Sequence, residues 1–375
     1  MTVECARQFS LLGSSTTQED WRCFVTGGSG FIGQHLLALL THKGHPVSVL
    51  MRRPHSLPAL REQIEQLGGR GDLLAAVGGD LGLPGLGLDA AAREQVRQAA
   101  VVFHLGAQFA WGLAAEQARQ VNVEGALAVA ELAAQQGSRL LMVGGFMLAN
   151  HEHLQRIGIE LQRPERTDWN KVYQRTGAYE GSKLEAHFRV HARMAELQAP
   201  LTVVHPATVC GHSRSGHILP AQPLAGLISN LAGGLLGAIP GSTAHWLPLV
   251  SVDFLAGLIV AAAFDEQQAG QEILALDATT PNLQGMLQQL ANTLGVSAPS
   301  RHVPIPLLRA LLKIPGVPRL LRTDAESLDF IQTTRFDTAA TDALVQRHGL
   351  VWPDITQALR MTARYLVSTP SAVNG

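Results

Sequence analysis

A tyrosine and a lysine four positions apart, Tyr179 and Lys183, have the residue types and spacing for proton transfer. They lie in a stretch that predicts a helix over residues 176–198, with Thr176 as its N-cap, and the i, i+4 spacing puts both side chains on one face. An ammonium group beside a phenol lowers the pKa of the phenol, which makes it a usable acid or base near neutral pH. By itself, this pattern often occurs by chance, and two exposed helix residues would then be the better interpretation.

A glycine-rich segment near the N-terminus predicts a dinucleotide site. Residues 26–33 lie between an apolar strand and an apolar helix, and they contain both Gly28-x-Gly30-x-x-Gly33 and Gly27-x-x-Gly30-x-x-Gly33. Early glycines allow the backbone to approach a pyrophosphate, and the helix N-terminus offers N–H groups to it. No Gly-Lys-Ser/Thr follows, so the segment is not a Walker-type loop.

The end of the second predicted strand favours NADP over NAD. In NAD sites, an acidic residue at this strand end accepts a hydrogen bond from the ribose 2′-OH. Here Met51 takes that place and Arg52 and Arg53 follow, and guanidinium groups suit a 2′-phosphate. The alternative is that both arginines are only solvent-exposed residues at the end of the strand.

The order of predicted elements indicates the scaffold that positions these residues. Apolar strands are predicted at 22–26, 45–51, 73–77, 99–105, 139–143 and 201–205, with helices at 31–43, 90–98, 116–136 and 176–198. Continuous Val/Ile/Leu strands that alternate with helices are typical of a parallel sheet covered on both faces. The predicted fold class is α/β, a Rossmann-type doubly wound parallel sheet with a smaller, discontinuous C-terminal substrate-binding region.

Changes in residue usage along the chain predict its domain boundaries. Residues 1–20 are an N-terminal extension, 21–210 are the NADP-binding domain, which also receives about 245–277, and 211–244 with 278–375 are the substrate-binding region. Residues 301–323 are apolar, basic and interrupted by prolines. Because prolines break long helices, this segment favours a substrate lid or docking turn over a membrane-surface helix.

Composition excludes several classes of protein. Of the 375 residues, 46% are apolar and 16% are charged, which excludes an intrinsically disordered chain. The formal net charge of −1 lacks the basic surplus of nucleic-acid binders. Cys5, Cys23 and Cys210 are too scattered for a disulfide framework, which favours a reducing, cytoplasmic location. Neither a secretory leader nor an apolar run long enough to span a membrane is predicted.

With further motifs, these segments resemble the extended short-chain dehydrogenases/reductases of the NAD(P)-dependent epimerase/dehydratase-like superfamily. Over about residues 21–265 the further motifs are Gly79-Asp80-Leu81, His104-Leu105-Gly106-Ala107, Asn122-Val-Glu-Gly125, His205-Pro206-Ala-Thr-Val209 with Gly211, and Ser251-Val-Asp253. The resemblance implies nicotinamide-dependent hydride transfer and leaves the substrate open. Residues 205–216, with Trp111, are also similar to thioester reductase domains, which makes a carrier-linked substrate an option.

The resemblance implies a role for each of these positions. Tyr179 would be the general acid/base, Lys183 would hold the nicotinamide ribose and assist Tyr179, and Asn122 would kink its helix or relay protons. The implied cofactor-binding positions, including the two arginines discussed above, are Gly27, Gly30, Phe31, Ile32, Gly33, Arg52, Arg53, Asp80, Leu81, Leu105, Gly106, Ala107, Lys183, Pro206 and Val209.

Gly145 departs from the family pattern. The family places a Ser or Thr at the end of the fifth strand, where its hydroxyl binds the reacting carbonyl, but this chain has Gly144 and Gly145 there. Loss of one such donor costs on the order of 100–1,000-fold in rate. Tyr173 or Thr176 could replace the hydroxyl, or both could only cap or pack the helix. Otherwise the substrate is unusually activated, or the chain catalyses little.

Histidines and tryptophans outside these motifs give weaker indications. His151 and His153 form a His-x-His pair without further ligands, so no metal is predicted. One of His205, His212 and His217 could face the pocket, although nothing marks it as a base. Trp246 could line a pocket or belong to the core.

We therefore predict an NADP-dependent oxidoreductase that transfers hydride between NADPH and a ketone, aldehyde or thioester carbonyl of an apolar small molecule. One alternative is a nucleotide-sugar epimerase or dehydratase, which usually retains NAD. The other is a non-catalytic NADP-binding or sensing protein, which would explain Gly145 but would not need Tyr179 and Lys183. The resemblance implies a homodimer as one option, paired through helices 116–136 and 176–198, and no nucleic-acid partner is expected.

Overall fold

Short apolar strands form a central sheet in a computed structural model, which describes residues 21–108, 113–314, 316 and 325–368. The main sheet consists of β1 (Cys23–Thr26), β2 (Val47–Met51), β3 (Leu74–Gly78), β4 (Val101–His104), β5 (Arg139–Val143), β6 (Leu201–Pro206) and β10 (Glu272–Ala275). Two short strand pairs join β7 (Thr208–Cys210) to β9 (Leu249–Ser251) and β8 (Ile239–Pro240) to β11 (His302–Val303).

The strands of the main sheet are parallel and their order is β10-β6-β5-β4-β1-β2-β3. The chain winds outward in one direction from β1 and in the other from β4, so the order reverses between these neighbours, where Thr26 pairs with His104. In open α/β sheets, ligands bind at the carboxyl ends of the strands at such a switch point. The predicted fold class is confirmed.

Helices cover the sheet and follow the strands along the chain. They are α1 (Phe31–His42), α2 (Leu57–Gln66), α3 (Ala90–Val96), α4 (Ala115–Ala118), α5 (Gly125–Gln136), α6 (His151–Ile157), α7 (Trp169–Glu196), α8 (Pro223–Ala232), α9 (Val252–Phe264), α10 (Leu283–Leu294), α11 (Ile305–Leu312), α12 (Ala339–Arg347) and α13 (Ile355–Ser368). Short 3₁₀ turns lie at Pro54–Ser56, Gly71–Leu73, Pro84–Gly87, Phe146–Ala149, Pro164–Arg166, Glu266–Gln268 and Ala325–Phe330.

Burial explains why the central strands lack alternation of polar and apolar residues. All four residues of β1 and all four of β4 are buried, because helices cover both faces of the sheet. The core includes Phe24 and Val102 from these strands, with Val129 and Ala133 from α5. None of the helices within the described residues is long and apolar enough to cross a bilayer.

Two predicted helices are less regular than their sequences indicate. The predicted helix 116–136 contains a π-helical turn at Arg119–Glu124 between α4 and α5. The helix predicted at 176–198 begins earlier, at Trp169, where the Asp168 side chain accepts from the Lys171 N–H, and Gly177 interrupts it with a φ of 81°. Thr176 is therefore not an N-cap: its hydroxyl donates to the Val172 carbonyl at 3.0 Å.

The described residues divide into two compact units. The first contains residues 21–205 with Ala256–Leu274 and Ala339–Leu350, and the second contains Pro206–Leu255 with the described residues of 275–338 and 351–368. The assignment of cofactor binding to one region and of substrate binding to the other stays a prediction.

Candidate functional site

The glycines of the β1–α1 turn form a cradle in which backbone meets backbone. Gly27 has a φ of +76°, and a Cβ on it would lie 2.5 Å from the amide nitrogen of Gly106 after β4. A Cβ on Gly33 would lie 2.2 Å from the Gly27 carbonyl oxygen. Only glycine fits at these two positions, so the sequence pattern has a steric cause. The resulting bare backbone is the kind of surface that a pyrophosphate can approach.

The N-terminus of α1 lies at this cradle. The helix begins at Phe31, which is buried, and Ile32 is half-buried. No side chain caps the helix, and the Gly30 N–H donates to the Gly27 carbonyl at 3.0 Å. A helix N-terminus without a capping side chain offers its first N–H groups and its positive dipole end to an anion.

The loops after β3 and β4 adjoin the same turn. The Leu105 N–H donates to the Thr26 carbonyl at 3.1 Å, and a Cβ on Gly106 would lie 2.5 Å from the Leu81 side chain. The Asp80 carboxylate accepts from the Gly82 N–H at 2.8 Å, which shapes the loop after β3. Ala107 is half-buried. The structure thus brings the predicted positions of the two loops to the glycine turn.

Four other predicted cofactor positions lie on or directly after other strands. Arg52 and Arg53 are exposed after β2, and Met51 before them is buried. Pro206 ends β6 and Val209 lies in β7, both in the second unit. Contact of these four residues with a cofactor stays a prediction.

Lys183 lies on α7 and reaches the end of β5. Its Nζ donates to the Val143 carbonyl at 2.8 Å, directly before Gly144 and Gly145. Burial lowers the pKa of Lys183 to about 8, since the low-dielectric interior disfavours the ammonium form. The lysine is therefore mostly charged at neutral pH, and its ammonium group is hydrogen-bonded to the end of β5.

Tyr179 lies one turn before Lys183 on α7 and is half-buried. Burial, together with the charge of Glu180, raises the pKa of Tyr179 to about 12. The expectation that the neighbouring lysine lowers this pKa is therefore wrong for the structure, because desolvation outweighs it. At neutral pH the phenol is protonated, so it can act as a proton donor.

The π-helical turn places Asn122 between two segments. Its Oδ1 accepts from the Gln108 N–H at 2.6 Å, and its Nδ2 donates to the Ser182 hydroxyl at 2.9 Å. The Ser182 hydroxyl donates in turn to the Tyr179 carbonyl at 2.9 Å. Asn122 therefore links the loop after β4 to the helix turn that carries Tyr179 and Lys183.

Neither residue suggested as a substitute for the missing hydroxyl has a free donor. The Tyr173 hydroxyl donates to the Glu185 carboxylate at 2.9 Å, and the Arg119 guanidinium lies 4.9 Å from the centre of the Tyr173 ring. The Thr176 hydroxyl is bonded within its own helix, as described above. The alternative expectation, that both residues only pack the helix, fits these contacts.

Only the first of the two glycines after β5 is required by packing. A Cβ on Gly144 would lie 2.4 Å from Nδ1 of His205, so the imidazole excludes a side chain. A Cβ on Gly145 would meet no described atom within 4 Å, and its φ of −163° is extended backbone that any residue adopts. Packing therefore explains Gly144 and leaves Gly145 unexplained.

His104 is a residue of this site that the sequence patterns named only as part of a motif. Its Nδ1 and the Thr26 hydroxyl are 2.7 Å apart, at the switch point of the sheet. Burial, with the positive charge of Lys183 as a second cause, lowers the pKa of His104 to about 3. The imidazole is therefore neutral, and pairing of Thr26 with His104 is a tertiary contact that local patterns do not indicate.

The remaining predicted residues have structural surroundings. Nε2 of His153 lies 2.7 Å from the Glu180 carboxylate, and the buried Trp246 donates to the Thr334 carbonyl at 2.9 Å, as a core residue would. The His212 ring accepts from the Arg214 N–H, and the His217 ring meets Tyr365 edge-on. Trp111 lies outside the described residues, as do 315 and 317–323 of the predicted lid.

A switch-point sheet with a glycine cradle defines a Rossmann-type protein of the NAD(P)-dependent oxidoreductase/epimerase superfamily. An NAD-binding family model described as male sterility protein matches residues 25–259, and the chain belongs to this family. The suspected relationship to extended short-chain dehydrogenases/reductases and thioester reductases is thereby confirmed.

A curated relative matches part of the chain. The NRPS-like oxidoreductase fscA of Fusarium equiseti is 32% identical over an alignment 133 residues long, which covers 32% of this chain. The match spans only 12% of the length of that relative.

Solved structures share the fold over nearly the whole chain. The terminal R domain from the myxalamid PKS-NRPS biosynthetic pathway has a TM-score of 0.75 at 19% identity, with 98% of each chain covered. A thiolation-reductase di-domain from an archaeal non-ribosomal peptide synthetase has a TM-score of 0.69 at 14% identity, over 98% of this chain and 80% of that one. Gre2 from Candida albicans, in complex with NADPH, has a TM-score of 0.64 at 17% identity, over 93% and 99%.

The buried charge of Lys183 predicts a stability cost at neutral pH. Below about pH 8 the folded protein holds this ammonium in a low-dielectric site. Between about pH 8 and 10.5 the folded lysine is neutral while the unfolded lysine is charged, so wild-type stability rises with pH. We expect Lys183→Met to melt at a higher temperature than wild type at pH 6.5, with a smaller difference at pH 9.5. Thermal unfolding at both pH values, with the exposed Lys171→Met as control, measures this, and a variant less stable at pH 6.5 would contradict it.

Proposed function

We propose that this chain is an NADPH-dependent reductase that acts on an activated acyl carbon, a thioester of an apolar acyl chain held on a carrier protein. The observation that carries the proposal is the combination of the glycine cradle with Lys183, hydrogen-bonded at the end of β5, and Tyr179 one helical turn away. A purely structural module would need none of these features.

The residues present fit a dinucleotide. The cradle of Gly27, Gly33 and Gly106 would be filled by any Cβ, and the N-terminus of α1, which no side chain caps, presents its positive dipole end to a phosphate. Arg52 and Arg53 are the guanidinium groups that would select a 2′-phosphate, and Lys183 would hold the nicotinamide ribose. When bound, the reduced nicotinamide supplies a hydride to the substrate carbonyl carbon.

Tyr179 would act as the general acid. With its pKa raised to about 12, the phenol keeps its proton at neutral pH and can donate it to the carbonyl oxygen as negative charge develops there. Lys183 would stabilise the phenolate that remains, because its ammonium is charged below about pH 8. The positioning of both side chains would depend on the Asn122–Ser182 hydrogen bonds.

Reduction of a thioester releases the carrier thiol. The thioester, NADPH and one proton give an aldehyde, the free carrier thiol and NADP⁺, since the hemithioacetal formed by hydride and proton addition loses the thiol. Two of the similar structures, a terminal R domain and a thiolation-reductase di-domain, support this substrate class. A homodimer and a cytoplasmic location remain part of the proposal.

The first test is NADPH consumption with acyl thioesters of increasing chain length, on a carrier protein and on a small thiol. Apolar ketones and aldehydes form a second arm. We expect turnover with thioesters, and a roughly 100- to 10,000-fold lower rate in Tyr179→Phe, because the general acid is lost while the ring is retained. NADPH binding measured on the same samples should be unchanged in that variant.

Two results would count against this function. NADPH binding without turnover in either arm would favour the non-catalytic alternative. Turnover that survives in Tyr179→Phe would show that another group donates the proton.

Restoring the family hydroxyl provides a second test. We expect Gly145→Ser to raise kcat by roughly 10-fold or more, since one oriented donor at a developing oxyanion is worth up to about 1,000-fold. Gly144→Ser is the matched control: its Cβ would meet the His205 ring at 2.4 Å, so this variant should lose thermal stability. A stable Gly145→Ser enzyme with unchanged kcat would mean that the reaction makes no use of a donor there.

Cofactor preference is tested at the end of β2. We expect Arg52→Ala combined with Arg53→Ala to raise the KM for NADPH by roughly 10- to 100-fold, because charge-assisted hydrogen bonds to the 2′-phosphate are lost. The KM for NADH should change little, since NADH lacks that phosphate. Equal effects on both cofactors, measured by initial rates, would show that the arginines do not read the 2′-phosphate.

A further inference from the structure

Three imidazoles converge on one carboxylate in the first unit. His187 and His191 lie one turn apart on α7, His205 lies near the end of β6, and Glu272 begins β10. From the Glu272 carboxylate oxygens, Nε2 is 3.5 Å away in His187, 3.2 Å in His191 and 2.8 Å in His205. None of these four side chains has a part in the proposed reaction.

The burial of this His/Glu cluster (His187, His191, His205 and Glu272) makes it unusual. The side chains of His187 and His205 are only 7% and 4% exposed. Nδ1 of His187 and Nδ1 of His205 are buried without a hydrogen-bond partner among the described residues. Nε2 of His191, although close to the carboxylate, also lacks well-aligned hydrogen-bond geometry. Of these three atoms only Nε2 of His191 faces the carboxylate, so it is the one that a ligand bound at the cluster would satisfy.

We propose that the His/Glu cluster binds one divalent transition-metal ion, for which zinc is the best match. Imidazole nitrogens with one carboxylate form a donor set that zinc prefers, whereas magnesium and calcium prefer oxygen ligands. One ligand atom each from His187, His191 and Glu272 already lie within 4.8 Å of one another. Zinc–nitrogen bonds of about 2.0–2.1 Å place tetrahedral ligands roughly 3.4 Å apart, so small side-chain rotations close the set.

His205 holds the carboxylate and is not one of the three groups whose ligand atoms lie within 4.8 Å of one another. Its Nε2 lies 2.8 Å from Oε2 of Glu272, whereas His187 and His191 face Oε1 of the same carboxylate. Carboxylate ligands are commonly held by such a hydrogen-bonding partner, and three protein ligands leave the fourth position of a tetrahedral ion to water.

The position of the cluster gives the metal its role. Tyr179, Lys183, His187 and His191 follow one another at intervals of four along α7, so they share a helix face. His205 packs against Gly144, next to the Val143 carbonyl that accepts from Lys183. A metal would therefore link α7 to the start of β10 and, through the His205–Glu272 contact, to β6, on the helix that carries the Tyr179–Lys183 pair. The sequence analysis expected no metal, because it weighed only the His151–His153 pair.

The test is a titration of the full chain, made without a polyhistidine tag and stripped of metal by a chelator, with Co²⁺ as the probe. We expect intense visible absorption of tetrahedral Co²⁺ that saturates at one ion per chain and disappears on addition of Zn²⁺. Zn²⁺ should also raise the thermal unfolding midpoint, since it binds only the folded site. Wild-type protein that gives no saturable tetrahedral spectrum overturns the proposal without recourse to any variant.

Variants then assign the ligands. His191→Gln, chosen because His191 is half-buried and its loss should not prevent folding, should weaken Co²⁺ binding by more than the roughly 10- to 100-fold that loss of an outer-shell partner costs. Glu272→Gln should act likewise. His348→Gln is the matched control, because His348 pairs at 3.0 Å with Asp265 in a different part of the same unit. Wild-type affinity in both His191→Gln and Glu272→Gln would refute the assignment.

Discussion

The hydrogen bond from Lys183 to the Val143 carbonyl is the contact on which the candidate site depends. An ammonium group in a low-dielectric interior is tolerated only when an acceptor receives it, and the end of β5 provides one at 2.8 Å. The bond joins α7 to the end of β5, one helical turn from Tyr179. It also lies next to Gly144 and Gly145, so the buried ammonium group and the two glycines meet at the end of one strand. The pKa of Lys183 is lowered because its ammonium group loses solvation in this position.

Irregular helix geometry serves the same purpose as this bond. The π-helical turn at Arg119–Glu124 brings Asn122 to Ser182, which in turn holds the Tyr179 carbonyl. The break at Gly177 separates the first turns of α7 from the part that carries Tyr179 and Lys183. π-Turns and helix breaks weaken regular hydrogen bonding, and they persist where a side chain must be aimed in a direction that a regular helix would not give. Both irregularities adjoin the Tyr179–Lys183 turn, the first through Asn122 and the second within the same helix.

The sequence was informative wherever short-range patterns decide the structure. The parallel sheet follows from apolar strands that alternate with helices, and the glycine turn follows from contacts within a few residues, as the 2.2 Å approach at Gly33 illustrates. The interruption at Gly177, the pairing of Tyr173 with Glu185 and the protonated state of Tyr179 could not be predicted in this way. Each depends on neighbours that the fold supplies, or on desolvation, which requires knowledge of burial. The His/Glu cluster is the clearest case, since Glu272 is 81 positions from His191 and no pattern links them.

Adjacent glycines after β5 show how steric and chemical causes can be separated. Any side chain at Gly144 would collide with His205, so its identity is a consequence of packing. At Gly145 neither backbone conformation nor space requires glycine, and a serine would fit without rearrangement. The fold therefore gives no reason for the absence of a hydroxyl there. Gly144 is determined by the imidazole packed against it, whereas Gly145 is a position at which a side chain could be added without changing the sheet, so its effect on a reaction can be measured separately from its effect on packing.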